Sequence, residues 1–494
     1  MLNKVKIYIM ERYLSKLLSI SEKGINKSNY ELSLSALSAF CYIQYSINQV
    51  YTDKMAEEYL LEIGKNTVVI PNDYKFDDNT ILFYDGFGLD LRGWAASFAR
   101  AFSELNYKVV YIEPLTAYNK IPHIISELSK LGGIVEYIDY SKGNINHILE
   151  LNKFILRYKP KVAFFYTTPN DVSGATVFNL YKDKIVRIQV DLTDHAFWIG
   201  VNAFDYGVVV RELGASNMIY NRGVSKNKVK VLDCTPYINN DDLKTPFPFN
   251  LEKEKYFFSG GALYKTLGDK ELLFYKIAEH ILLHNSNIKF LYAGSGDCSE
   301  LEKLSKKFPN RVYFIEERAD FFKMFKNCVF YLNTYPMFGG LMMRYSALAE
   351  KVPLTLKHKK DHEGILFDQE SLGIEFDTLE EIVNEADLLI TDDNYRINKE
   401  KKLKDSIISE ERFSRNLFNL IENGNTEFVF EKINEIDTKE FRREYIVRLK
   451  PYRVLISSIA NKKNYVLFTY FPFLFITKAV LVLKRRIQSL LKGK

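Results

Sequence analysis

One feature constrains this chain more than any other: short runs of β-branched and aromatic residues alternate with amphipathic stretches along most of its length. The first series is Ile81 to Asp85, Val109 to Glu113, Ile134 to Asp139, Val162 to Thr167, Val186 to Asp191 and Tyr206 to Val210. Runs this apolar, with little polar alternation, suit strands buried on both faces of a parallel sheet, and the segments between them are mostly long enough for crossover helices. At Asn239 to Asn250 the pattern breaks into NNDDLKTPFPFN and then resumes with Tyr256 to Gly261, Lys289 to Gly294, Val312 to Glu316, Cys328 to Thr334 and Pro353 to Lys357. The break reads as a linker. The fold class expected is α/β, with two tandem Rossmann-like doubly wound domains. Such sheets take ligands beyond the carboxyl ends of their strands, so a cleft lined by both edges is expected.

The flanks differ. Leu32 to Gln49 and Asp53 to Ile63 have helical spacing, which predicts a small helical hairpin cap over residues 1–75. A lone tetratricopeptide-like unit is one form it could take. The α/β domains are then expected at 76–240 and 241–430, and a helical tail at 431–494. Glu411 to Asn423 is expected to be an amphipathic helix stopped by Gly424.

The formal charge of +6 is carried entirely by Lys478, Lys484, Arg485, Arg486, Lys492 and Lys494, in a stretch without acidic residues. A neutral body argues against a nucleic-acid partner, which needs a concentrated basic face. Tyr465 to Thr477 (YVLFTYFPFLFIT) is uncharged but shorter than the ~20 apolar residues a spanning helix needs. Beside the basic stretch Val480 to Leu491, it is expected to lie on an anionic membrane surface. The alternative is a tail helix packed on the first domain. Four scattered cysteines indicate neither a zinc site nor a disulfide framework. With no secretory pattern in the first residues, the expected location is cytoplasmic, peripheral on the inner face of the membrane.

Chemistry is expected at the strand ends. The first run opens into Asp85-Gly-Phe-Gly-Leu-Asp-Leu-Arg-Gly93 ahead of a helix, with Gly88, Asp90 and Arg92 as candidates for acceptor or cleft contacts. Glu113 ends the next strand where a ribose-binding acid would sit, but the glycine spacing is too long for a dinucleotide fingerprint. A plain strand-to-helix turn is the competing reading. In the second series Gly260, Gly261 and Lys265 leave the first strand, and Gly294 and Gly296 leave the next. Arg318 and Asp320 follow the third, and Pro336, Gly339, Gly340 and Leu341 follow the fourth. Glycines and cations on one edge suit a nucleotide diphosphate. Lys265 would neutralise a phosphate, and the Gly339 and Gly340 amides at a helix start would donate to its oxygens. Turn glycines and a solvated lysine are the alternative.

This ordered series, over roughly residues 80 to 425, resembles glycosyltransferases of the GT-B fold, in particular the retaining family-4-like group (glycosyltransferase group 1). The resemblance implies a metal-independent hexosyl- or related glycosyltransferase, with 76–240 on the acceptor side and 241–430 holding a nucleotide-diphosphate sugar as donor substrate. It implies no cofactor, and a glycan, lipid-linked or protein acceptor in capsule, lipopolysaccharide or glycoprotein synthesis. Many relatives carry two glutamates eight positions apart near the donor sugar; Phe338 and Ser346 stand there in this chain, which leaves the retaining mechanism open. A sugar-nucleotide epimerase of the same fold and a non-catalytic partner subunit are the alternatives.

Val190-Asp-Leu-Thr-Asp-His195 closes a buried strand of the first series. An attacking hydroxyl needs a base of near-neutral pKa, which makes His195 the first candidate, oriented by Asp191 or Asp194. A donor contact or a purely structural histidine are the other readings. No D-x-D triplet is present to hold a divalent cation, and His358 and His362 fall in a lysine-rich loop, so no metal site is expected.

Overall fold

The computed structural model describes residues 2–87, 94–118, 128–233, 235–238, 245–357, 365–366, 369–430 and 432–492. Contacts divide the chain into two units, one of Met1–Leu91, Phe98–Leu232 and Ser414–Lys494, the other of Arg92–Ser97 and Asp233–Phe413.

The sheet of the first unit contains β1 (Asp77–Asp85), β2 (Lys108–Pro114), β3 (Ile134–Ile138), β4 (Pro160–Tyr166), β5 (Val186–Val190), β6 (Tyr206–Val209) and β7 (Val229–Val231). All pairings are parallel, in the order β3-β2-β1-β4-β5-β6-β7. Alternation decides which layer each side chain joins. Phe83 and Phe164 pack with Phe98 and Phe102 of the helix Trp94–Glu104 on one face, and Tyr111 stacks on Phe83. Leu82, Tyr84, Val110, Ile112, Ala163 and Phe165 join a core shared with the N-terminal helices. Each fully buried side chain of this kind contributes about 1.5–3 kcal/mol.

The N-terminal cap is present but is larger than the expected hairpin. It holds α1 (Leu2–Asn26), α2 (Tyr30–Ile47) and α3 (Lys54–Thr67). Small residues on α2, including Ser33, Ser35, Ala36, Ser38 and Ala39, are buried and let its neighbours approach closely. Glu31 of α2 caps another helix, Asn144–Tyr158, accepting from the amides of Asn144 at 3.0 Å and Ile145 at 2.8 Å. A carboxylate there satisfies orphan donors and meets the positive helix end. The cap is therefore built into the first core.

The second unit repeats the architecture with β8 (Tyr256–Ala262), β9 (Lys289–Ser295), β10 (Val312–Ile315), β11 (Tyr331–Leu332), β12 (Pro353–Leu356) and β13 (Glu375–Phe376), ordered β10-β9-β8-β11-β12-β13. Phe257 stacks on Phe290 and Phe330, with ring centroids 4.5 and 5.3 Å apart, at the middle of this core.

After residue 413 the chain rejoins the first unit. Glu422, near the end of the helix Glu410–Asn423, accepts from Lys161 at 2.8 Å and from Tyr107 at 2.5 Å. The apolar segment Tyr465–Thr477 does not lie on the surface as a whole. Leu467, Phe471 and Leu474 are buried in the first core, and Phe471 stacks on Tyr13 of α1 at 5.8 Å. The last described helix, Pro472–Lys492, begins there.

Candidate functional site

In the second unit the predicted donor residues gather at the carboxyl edge of β8 and β9. The two strands stay paired to their ends, Gly261 with Gly294 and Ala262 with Ser295. A Cβ on Gly294 would lie 2.0 Å from the Gly261 carbonyl oxygen, and one on Gly260 would lie 2.9 Å from that of Ala293. Glycine is therefore a packing requirement at both positions. Gly261 and Gly296 both hold φ near +122°, which turns the chain out of each strand. Lys265 follows in the short turn Leu263–Thr266, half-buried. Its carbonyl accepts from the Met337 amide at 3.3 Å, which ties this turn to the loop ahead of the helix Gly340–Leu348. Lys265 and the Pro336–Gly340 loop, separated by about 70 positions, are thus brought side by side.

Asn333 organises that loop. Its buried side chain accepts from the amides of Thr334 and Gly339, each at 2.9 Å, and donates to Thr355 at 3.2 Å. The Gly339 amide is therefore directed inward, to Asn333. The first-turn amides without an intrahelical partner are those of Gly340, Leu341 and Met342, since Met343 already bonds the Gly339 carbonyl. Pro336 follows a cis peptide bond in the same loop. Ser346 is fully buried and donates to the Lys351 carbonyl at 2.6 Å, and Phe338 packs against the core.

Arg318 is placed differently from its expected role. Its guanidinium forms a two-bond pair with Asp320 at 2.8 and 2.9 Å, donates to the carbonyls of Thr245 and Pro246, and lies 4.0 Å from the Phe247 ring. Those bonds fasten the 245–247 segment rather than presenting a cation to a ligand. On the helix Gly340–Leu348, Arg344 is buried in an ion pair with Asp233, and burial lowers its pKa to about 10.

In the first unit, Asp191, Asp194 and His195 lie on the loop leaving β5. Asp194 pairs through two bonds with Arg211, Nε to Oδ2 at 2.6 Å and Nη2 to Oδ1 at 2.9 Å. Burial raises its pKa, but Arg211 and His195 outweigh that and hold it well below the usual carboxylate range. His195 Nδ1 meets the same carboxylate at 3.4 Å, a long contact, and its ring edge faces Phe441. The imidazole keeps 31% of its surface exposed, enough to be reached. Asp191 is buried, and burial with the charge of Asp194 pushes its pKa up to about 6 against the pull of Arg222, His195 and the Thr193 amide.

The cap braces this loop in a way that local sequence did not reveal. Asn48, just past α2, donates to the His195 carbonyl and accepts from the Phe197 amide, both at 3.1 Å. Glu57 of α3 accepts from Gly200 at 2.7 Å and Val201 at 3.0 Å. Arg222 donates to the Ala196 carbonyl at 2.6 Å and lies over the Trp198 ring at 4.5 Å. Glu113, at the end of β2, forms a buried carboxyl pair with Asp85 at the end of β1. Asp85 accepts from Tyr111 at 2.6 Å, while Glu113 has no hydrogen-bond partner among the described residues and is pushed up to about 8 by burial and by the charge of Asp85. Gly88, Asp90 and Arg92 lie outside the described residues.

No protein-family model matches the chain, and no curated protein sequence does. Solved structures do match. A putative UDP-N-acetylglucosamine 2-epimerase from Listeria monocytogenes superposes with a TM-score of 0.53 at 12% identity, over 72% of this chain and 100% of that one. A glycosyltransferase from Rickettsia africae gives 0.52 at 12% identity, over 70% and 98%. An O-GlcNAc transferase variant from Thermobaculum terrenum gives 0.50 at 14% identity, over 90% and 84%. The fold is GT-B.

Within that GT-B frame the two sheets share one strand order, and each has its candidate residues at the carboxyl edge, where doubly wound sheets bind ligands. Lys265 with the first-turn amides of Gly340, Leu341 and Met342 forms one set. Asp191, Asp194 and His195 form the other.

Proposed function

We propose that the protein is a glycosyltransferase that moves a sugar from a nucleoside-diphosphate donor to a hydroxyl acceptor in surface glycan synthesis. The observation that carries this reading is the Lys265–Met337 backbone bond, which ties the turn bearing a lysine to the loop that leads into a helix start. A diphosphate leaving group gathers negative charge as the bond to the anomeric carbon breaks. A cation and fixed amides stabilise that charge without reorganising. As the acceptor oxygen bonds the anomeric carbon, its proton passes to the His195 imidazole. Asp194, held ionised by Arg211, supports the protonated ring through its 3.4 Å contact. Gly260 and Gly294 keep the two strand ends paired, Gly261 and Gly296 turn the chain out of them towards the donor, and Arg318 holds the 245–247 segment in place.

The reading includes a cytoplasmic enzyme on the inner face of a membrane, needing no cofactor or metal ion, with a glycan, lipid-linked or protein acceptor. A thermal-shift panel of nucleoside diphosphates tests the donor site. One nucleotide is expected to stabilise the wild type and to lose most of that effect in Lys265→Ala; stabilisation by none overturns the assignment. Transfer is expected to persist in excess chelator.

The structural likeness to a protein described as a 2-epimerase supports a second reading, a sugar-nucleotide epimerase. Incubation with nucleotide sugar alone separates the two. A changed sugar still attached to its nucleotide, formed without acceptor, favours the epimerase.

A further inference from the structure

The helix Pro472–Lys492 is fastened to the body at its start and uncovered beyond it. Leu474 is buried, and Thr477 accepts from the Tyr452 hydroxyl at 3.0 Å. From Ala479 to Ile487 every side chain is exposed. Phe473, Ile476, Val480, Leu483 and Ile487 recur at spacings of three and four, so they fall in a single stripe, and they are 67, 56, 59, 59 and 48% exposed. A short helical segment with nothing packed on it is marginal in water, and one with an apolar stripe needs a cover.

The charges select the cover. Lys478, Lys484, Arg485 and Arg486 are the only charged residues from 472 to 487, and all are basic. Pairing with a second copy through the stripe would set these cations against their equals, and no acidic residue is there to relieve them. An anionic lipid surface attracts the cations while its acyl region takes the apolar side chains. No described helix is long and apolar enough to cross a membrane.

We infer that the helix Pro472–Lys492 docks in the plane of an anionic bilayer, with the stripe from Phe473 to Ile487 inserted and Lys484, Arg485 and Arg486 at the headgroups. This rests on the proposed location at a membrane face but not on the transfer chemistry. Vesicle binding is measured without donor or acceptor, so its failure leaves the nucleotide test untouched.

The experiment is flotation of the full chain with vesicles of equal parts phosphatidylglycerol and phosphatidylcholine, and with phosphatidylcholine alone. The wild type is expected to float with the first only, and to be released by high salt. Val480→Asp with Leu483→Asp, and separately Lys484→Glu with Arg485→Glu and Arg486→Glu, are each expected to lower binding about tenfold or more. All five positions are uncovered, so the variants should melt like wild type. No flotation of a properly folded wild type overturns the inference. So does undiminished flotation of the Val480→Asp, Leu483→Asp variant, or a wild-type dimer that this variant dissolves without any vesicle binding.

Discussion

The side chain of Asn333 accepts the Gly339 amide across six residues at 2.9 Å, and this bond fixes where the helix Gly340–Leu348 begins. Asn333→Ala leaves that amide and the Thr334 amide without their acceptor in a buried place. The expected loss of stability is about 1–3 kcal/mol, with a smaller nucleotide-induced thermal shift. Asn333→Asp keeps an acceptor for both amides, so it should retain more of the nucleotide-induced shift than Asn333→Ala, at the cost of burying a carboxylate.

Gly294→Ala places a methyl group against the backbone of the adjacent strand, 2.0 Å from the Gly261 oxygen. The strand ends must part to admit it. Denaturant melts should show a loss of about 2 kcal/mol or more, and nucleotide binding should weaken.

His195→Ala and Asp194→Asn separate chemistry from structure. The exposed imidazole should cost less than about 1 kcal/mol of stability to remove, while the transfer rate falls about a hundredfold or more and the nucleotide thermal shift stays unchanged. Asp194→Asn takes the carboxylate from buried Arg211 and should cost about 3 kcal/mol or more. Equal destabilisation by both would assign His195 a structural role.

Glu113 gives stability a pH dependence of definite sign. Its folded pKa, about 8, stands above its ordinary value because of burial and the charge of Asp85. The folded state therefore holds this proton more tightly than the unfolded chain. The associated stability is present at low pH and is lost as pH rises towards 8, at about 1.4 kcal/mol per unit of difference. Glu113→Gln should be more stable relative to wild type at pH 8 than at pH 5 when chemical melts are compared.

Both sheets were legible in the sequence because their central strands are apolar throughout. Phe83 or Phe257 signals burial wherever the rest of the chain goes. β13, only Glu375–Phe376, was not legible, since its pairing with β12 is decided by its neighbour rather than by its own composition. Strand-end glycines and Lys265 could be read from their order along the chain. Asn333 was hidden as one polar residue in an apolar run, and its capture of the Gly339 amide is a matter of geometry. Asn48 and Glu57 brace a loop more than 140 residues away, and nothing near them in the sequence marks that task. In the tail, composition marked the apolar and basic character of 465–494, but only packing divides its buried anchor from its uncovered stripe.

The return of Ser414–Lys494 to the first unit has a consequence during synthesis. The sheet of the second unit is made from one uninterrupted stretch and can close soon after it leaves the ribosome. The first unit, although its strands emerge earlier, waits for helices translated last, among them the one carrying Glu422 and the one ending at Ile459. Birth order and completion order are thus reversed, and a ribosome stalled near residue 413 would display a finished second sheet beside a first core still lacking part of its wall.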